Sequence, residues 1–374
     1  MKNEHVGERT GRFPGLPAPQ ALRERLPVPP EAARKIAASR NAVEGVLEGT
    51  DARILVVTGP CSVHNEEAVL EYARRLGRIT PLIDDVLLPV MRVYCEKPRT
   101  ALGWKGFIAD PTLDGTEGIA RGLERARALM LAVLKEGVPV ATEVLNPLVD
   151  AWLGDIPSWI AIGARTSESP VHREAASGFH APVGFKNGTD GSVTTAINAV
   201  LVAKRPHERL GIDETGRASV ITTAGNPHAH VVLRGGAKGP NHDEESVARV
   251  VASLEAAGLT GRVVVDCSHG NACGDFRRQG AVFRDLVERK AREGALSPIA
   301  GVMLESHLME GRQTIESLRD GGRPLPGVSI TDACIGWEES EALLLQAARR
   351  LRAARNNAAE GKEKADERGM PLAA

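Results

Sequence analysis

The stretch ILVVTGPC, residues 54–61, reads as a buried β-strand that runs into a tight turn and delivers a cysteine. A short apolar run rich in β-branched residues suits a strand covered on both faces, and Gly59-Pro60 ends it. Seven further runs repeat the plan, at 88–93, 138–141, 159–162, 182–185, 230–233, 263–265 and 299–304. The side chains at or just past the C-terminal ends of the eight are Cys61, Arg92, Glu143, Arg165, Lys186, Arg234, His269 and Glu305. Helical segments at 66–76, 118–135, 193–203, 244–257 and 276–292 alternate with these runs, as βαβ units around a parallel sheet do. Eight strands with no obvious break favour an α/β fold of the closed (β/α)8 TIM barrel type, in which chemistry gathers at the C-terminal ends of the strands.

Outside this rhythm, residues 1–50 read as an N-terminal extension. Prolines keep its first part extended or turned, and 30–49 is predicted as a helix with Pro at its start and Gly at its end. The catalytic barrel is expected over 51–356, with a β-hairpin insertion at about 209–221 around Asp213-Glu214-Thr215-Gly216. A closing helix is expected over 337–357, followed by a polar, mobile tail at 357–374.

The net charge is −1 and only 3% of residues are aromatic, which argues against nucleic-acid binding by field or by stacking. No run approaches the roughly 18 apolar residues of a membrane-crossing helix. The first thirty residues show no apolar segment of signal-peptide type. Five cysteines without CxxC spacing fit a reducing, cytoplasmic setting better than a disulfide scaffold.

Two constellations meet on the expected rim. Cys61, His269, Glu305 and Asp332 offer sulfur, nitrogen and carboxylate oxygen, a mixture that suits a divalent Mn, Fe, Co or Zn ion. Arg92, Lys97, Arg99, Arg165, Lys186 and Arg234 lie at or after four of the strands. Crowded like charges repel unless an anion sits among them, so a phosphorylated acid or two phosphorylated substrates are expected. No Walker loop or well-placed GxGxxG appears, so nucleotide binding has no warrant.

These residues lie inside longer strings: GPCSVH (59–64), MRVYCEKPRTALGWKG (91–106), IGARTSES (162–169), PVGFKNGTDG (182–191), VVLRGG (231–236), VDCSHGN (265–271), GVMLESH (301–307) and SITDACIGWE (329–338). Over about 51–350 the chain closely resembles type I 3-deoxy-D-arabino-heptulosonate 7-phosphate (DAHP) synthase. The resemblance implies metal-dependent condensation of phosphoenolpyruvate with erythrose 4-phosphate, at the entry to the shikimate pathway. It also implies that Cys61, His269, Glu305 and Asp332 are the metal ligands. Arg92, Lys97, Glu143, Arg165, Lys186 and Arg234, with Ala164, would surround phosphoenolpyruvate, and Lys97, Pro98, Arg99 and Thr100 would meet erythrose 4-phosphate. Asp332 would also border the substrates, and Lys97, Glu143 and His269 are the implied catalytic groups.

The resemblance further implies a homodimer or homotetramer built on the N-terminal extension and hairpin, and a pocket for an aromatic amino acid effector away from the barrel mouth. Phenylalanine-sensitive relatives usually carry Asp, Pro and Ser where this chain has Asn146, Asp150 and His180. Loss of a carboxylate at 146 removes a partner for the effector's ammonium, so weakened or altered feedback is expected. A sister synthase that uses arabinose 5-phosphate typically reads KANR where this chain reads KPRT (97–100), which favours the four-carbon sugar. An amino analogue of that sugar, and a silent paralogue acting as a regulatory partner, remain as alternatives.

Overall fold

The computed structural model describes residues 15–99, 102–116, 118–315 and 325–367. Its strands are β1 (Ile54–Gly59), β2 (Leu87–Arg92), β3 (Val140–Glu143), β4 (Trp159–Ile162), β5 (Val183–Lys186), β6 (Glu208–Ile212), β7 (Ala218–Thr222), β8 (His230–Leu233), β9 (Val263–Asp266) and β10 (Ile299–Glu305). The longer helices are α1 (Pro19–Arg25), α2 (Pro30–Glu48), α3 (Glu66–Ile79), α4 (Ile119–Lys135), α5 (Asp150–Leu153), α6 (Pro170–Ala176), α7 (Thr194–Ala203), α8 (Glu244–Ala256), α9 (Gln279–Glu293) and α10 (Trp337–Glu367).

Eight parallel strands close in the order β1-β10-β9-β8-β5-β4-β3-β2, and β2 pairs back onto β1. The uniformly apolar runs are explained by burial on both faces. Ile54 and Val56 pack outward with the helices, whereas Leu55 and Val57 point inward with Val90, Ala141, Ala161, Val232, Val264 and Met303. Val43, Val46 and Leu47 of α2 join that inner cluster, so the N-terminal extension plugs the lower end of the barrel. Gly49 ends α2 in the left-handed region at φ 87°, as a helix-terminating glycine does.

Most strands begin and end within a residue of the expected runs. β3 is displaced towards its C-terminus, to Val140–Glu143, because Pro139 has no N–H to give and the ladder starts after it. That shift makes Glu143 the last residue of the strand. Gly59, at φ 143°, ends β1 where a Cβ would lie 3.1 Å from backbone atoms of Arg92, so only glycine lets the chain turn there towards Cys61. β6 and β7 form a separate antiparallel hairpin, with Leu210 opposite Val220. The closing helix continues to Glu367, past the expected break at Asn357. The Ala, Glu and Lys of 357–367 are strong helix formers and carry the helix on without an apolar stripe. Among the described residues no helix is long and apolar enough to cross a membrane. All five cysteines are free.

One buried arginine locks the extension to the barrel. Arg127 of α4, with a side chain 1% exposed, pairs with Asp155 at 2.7 Å. It also donates to the carbonyls of Leu26 at 2.8 Å and Trp152 at 2.9 Å. Arg127→Ala would strand these acceptors, and we expect it to lower the unfolding free energy by roughly 3 kcal/mol in urea denaturation. A loss below about 1 kcal/mol, the range of an exposed pair, would contradict this assignment.

Candidate active site

The C-terminal ends of the strands open into a cavity of about 690 Å³. Cys61, His269, Glu305 and Asp332 line it, as do Lys97, Pro98, Arg99, Glu143, Ala164 and Arg165. Arg92, Lys186 and Arg234 complete the set brought together there. Thr100 lies outside the described residues.

At the metal-type corner, ligand atoms of Cys61, Glu305 and Asp332 all lie within 4.8 Å of one another. The fourth expected ligand stands slightly apart: His269 Nε2 is 3.9 Å from Glu305 Oε1 and is not part of that close trio. Asp332 comes from a loop tied down beside the end of β10, where Ile335 N–H donates to Glu305 O at 3.0 Å. A cation already sits among these donors. Lys97 Nζ is 2.9 Å from Cys61 Sγ and 2.8 Å from Asp332 Oδ2. The donor set and its convergence on a positive centre fit a borderline divalent ion. Burial pushes the Cys61 thiol up to about 12, reinforced by the Glu305 carboxylate. Burial would also raise Asp332, but the Lys97 ammonium outweighs it and holds this carboxyl below its usual range.

His269 reaches the rim through a left-handed backbone, φ 55°, a conformation that costs a non-glycine residue about 1–2 kcal/mol. Such strain persists only where the surroundings impose it. Here Asp266, fully buried at the end of β9, holds the ring: its Oδ2 is 3.0 Å from His269 Nδ1. Ser268 Oγ donates to the other oxygen of Asp266 at 2.6 Å. The same carboxylate is 3.2 Å from Lys186 Nζ, and Glu143 is 3.8 Å from that nitrogen. Burial works against ionisation of Asp266, but His269 and Lys186 together hold it well below the usual carboxylate range.

The cations differ in their freedom. Arg92 is buried, pairs with Glu305 at 3.2 Å and lies 4.0 Å over the Tyr94 ring. Its Nη1 and the Tyr94 hydroxyl are buried without a hydrogen-bond partner among the described residues, two donors suited to an acceptor from an anion. Arg234 is positioned through its backbone N–H, which donates to Asn187 Oδ1 at 2.8 Å. Arg165 is exposed at the lip and has no side-chain partner among the described residues. Arg99 is exposed and donates to Trp104 O at 2.8 Å.

Sequence reasoning passed over Asp266, Tyr94 and Glu96. All three lie in the family strings, and Tyr94 and Asp266 directly follow apolar runs, but each run also leads to a stronger candidate, Arg92 or His269. An acid three residues before a histidine, at a strand end, was the available signal for Asp266. Glu96, which burial raises to about 7, accepts the backbone N–H groups of Leu145 at 3.0 Å and Asn146 at 3.2 Å. It thereby ties the loop after β2 to the loop after β3.

A second cavity, of about 540 Å³, lies away from the mouth between α1, the hairpin and the segment after β3. Asp150 and His180 line it with Arg23 and Arg209, but Asn146 does not. The Asn146 side chain instead accepts from Leu148 N–H at 3.1 Å and caps its own turn. Asp150 Oδ1 is buried without a hydrogen-bond partner among the described residues, and burial pushes this carboxyl up to about 7 against the pull of Arg209 and Arg23.

Known proteins resemble this chain over most of its length. The sequence profile of the DAHP synthetase I family matches residues 31–345. The Tyr-sensitive phospho-2-dehydro-3-deoxyheptonate aldolase of Salmonella typhimurium is 48% identical over 329 residues, 88% of this chain and 91% of that protein. The Phe-sensitive enzyme of Escherichia coli strain K12 is 47% identical over 338 residues, 90% of this chain and 95% of its own length. A solved structure of phospho-2-dehydro-3-deoxyheptonate aldolase from Francisella tularensis superposes with a TM-score of 0.87 at 39% identity, covering 92% of this chain and 98% of that one. An eight-stranded barrel, a mouth rich in metal-type donors and cations, and relatives matched over nearly their whole length lead to one assignment: this chain belongs to the DAHP synthetase I family.

Proposed function

We propose that the barrel mouth of this chain condenses phosphoenolpyruvate with D-erythrose 4-phosphate and water to give DAHP and inorganic phosphate, the first step of the shikimate pathway. The carrying observation is the single cavity that holds a Cys61, Glu305 and Asp332 cluster beside Arg92, Lys186 and Arg234. Two polyanions approach one another only where fixed positive charge offsets their repulsion.

Cys61, His269, Glu305 and Asp332 hold the divalent ion, which when bound supplies Lewis-acid polarisation of the aldehyde oxygen. Ser268 Oγ, which donates to Asp266, lies 2.5 Å from His269 Nδ1 and accepts its proton, so that Nε2 is left as a lone-pair donor facing Glu305. Arg92, Lys186 and Arg234, with Arg165 and Ala164 at the lip, bind the phosphate and carboxylate of phosphoenolpyruvate. Lys97, Pro98, Arg99 and Thr100 receive erythrose 4-phosphate. Lys97 Nζ delivers the proton that converts the alkoxide, formed when the enol carbon attacks the aldehyde, into the new hydroxyl. Glu143 orients water towards carbon 2, and the arginines balance the departing phosphate.

The outer cavity serves an effector with altered selectivity. Asp150, where phenylalanine-sensitive relatives usually carry Pro, brings a half-buried carboxyl into the cavity that Arg23 and Arg209 also line. The hairpin is the natural seam of a homo-oligomer: Leu210 is 85% and Val220 66% exposed, side by side on a two-stranded sheet that is marginal alone.

Purified protein mixed with both substrates should release one phosphate per phosphoenolpyruvate consumed. A chelator should stop the release, and Mn, Fe, Co or Zn should restore it. Turnover that is indifferent to chelation would refute the metal assignment. Arg165→Ala should lower kcat/KM for phosphoenolpyruvate by roughly 10–100-fold, the loss of one charge-assisted contact. Its thermal unfolding should stay unchanged, because the side chain is exposed and has no partner among the described residues. Micromolar phenylalanine should leave most of the activity intact, and near-complete inhibition in a steady-state assay would reject the effector reading.

A further inference from the structure

We infer that Lys97 is a displaceable counter-cation of the metal centre: its ammonium and the divalent ion occupy Cys61 and Asp332 in turn. The inference rests on the reading of Cys61, Glu305 and Asp332 as metal ligands.

Lys97 touches two of those three side chains at contact distance, 2.9 Å to sulfur and 2.8 Å to oxygen. A divalent ion bonds a cysteine sulfur at about 2.3 Å and a carboxylate oxygen at about 2.0–2.2 Å. An ion that took both donors would lie close to Nζ, and two positive centres so near repel strongly even in a polar medium. The lysine therefore yields the position when the ion enters.

Its neighbour Arg92 cannot do the same. Arg92 also neutralises the acid cluster, at 3.2 Å from Glu305. However, its guanidinium donates to Pro60 O at 3.2 Å, lies over Tyr94 at 4.0 Å and is fully buried. Lys97 has no such cage. Its backbone N–H is fixed to Lys105 O at 3.0 Å, which leaves the four-carbon stem free to swing while the loop stays in place. The released ammonium turns into the cavity, where Arg165 and Arg234 already stand. Entry of the ion thus adds one mobile positive charge to the pocket that receives the anionic substrates. Before entry, the same lysine keeps the clustered acids from repelling one another.

The test is a cobalt titration of the full-length, metal-stripped protein, followed by the absorbance of the cobalt–thiolate bond rather than by turnover. Lys97→Met should bind cobalt about tenfold tighter than the wild type, because no resident charge has to be displaced. Arg99→Met removes the same charge from the same loop without touching any of the three ligands, and should stay within about twofold of the wild type. Equal affinity of Lys97→Met and wild type overturns the exchange and leaves the metal site standing. Equal tightening in both variants also overturns it, since a general field would then suffice. Failure of the wild type to form a cobalt–thiolate band overturns both the exchange and the metal reading. Trace acetylation of the wild type, read by peptide mass, is a second measurement that needs no variant. Labelling of Lys97 should rise several-fold on cobalt loading, and unchanged labelling overturns the exchange.

Discussion

A closed barrel with an apolar interior cannot solvate charge, so each charged group at its mouth must meet a counter-charge or a ligand. That constraint organises the whole upper face of the molecule. Lys186, with a side chain 5% exposed, is answered by Asp266 and Glu143, and Arg92 is answered by Glu305. Lys97 is answered by Asp332 and the sulfur of Cys61. Asp266 is the hub, because one fully buried carboxylate holds both the lysine of β5 and the imidazole that follows β9. The charges are interlocked, so a group such as Lys97 leaves its partners only when another positive charge takes its place.

Interlocking of this kind preorganises a site. Donors fixed by the scaffold need no reorganisation when an anion arrives, and this is where electrostatic catalysis gains most. The scaffold imposes it through local devices of quite different kinds. Gly59 opens the turn that presents Cys61, and a left-handed His269 aims its ring across the rim. Asn187 fixes the backbone of Arg234, while a loop pinned to the end of β10 carries Asp332. Rigidity is not uniform, however. Arg165 and Arg99 stand exposed at the lip, and the cations least restrained by protein are those nearest solvent.

Much of this was legible along the chain. The barrel strands, the hairpin and the helix that ends at Gly49 were readable from apolar runs and their punctuation. The cavity collects every proposed site residue that the structure describes. What escaped was of two kinds. Asp266 and Tyr94 work by touching other site residues, and no periodicity marks a supporting contact. Asn146 and Asp150 exchanged importance: the expected loss at 146 concerns a side chain that caps its own turn, whereas Asp150 is among the acids that line the outer cavity. Helix propensity also carried α10 past the point where its apolar stripe fades.

The barrel and the kind of chemistry at its mouth follow from local pattern, because burial on both faces and donor type are written residue by residue. Which acid meets which cation does not. Those pairings join Lys97 to Asp332, Arg92 to Glu305 and Lys186 to Asp266, partners far apart along the chain. Their distances are set by barrel closure and by loops of unequal length, and so they emerge only when the chain is folded.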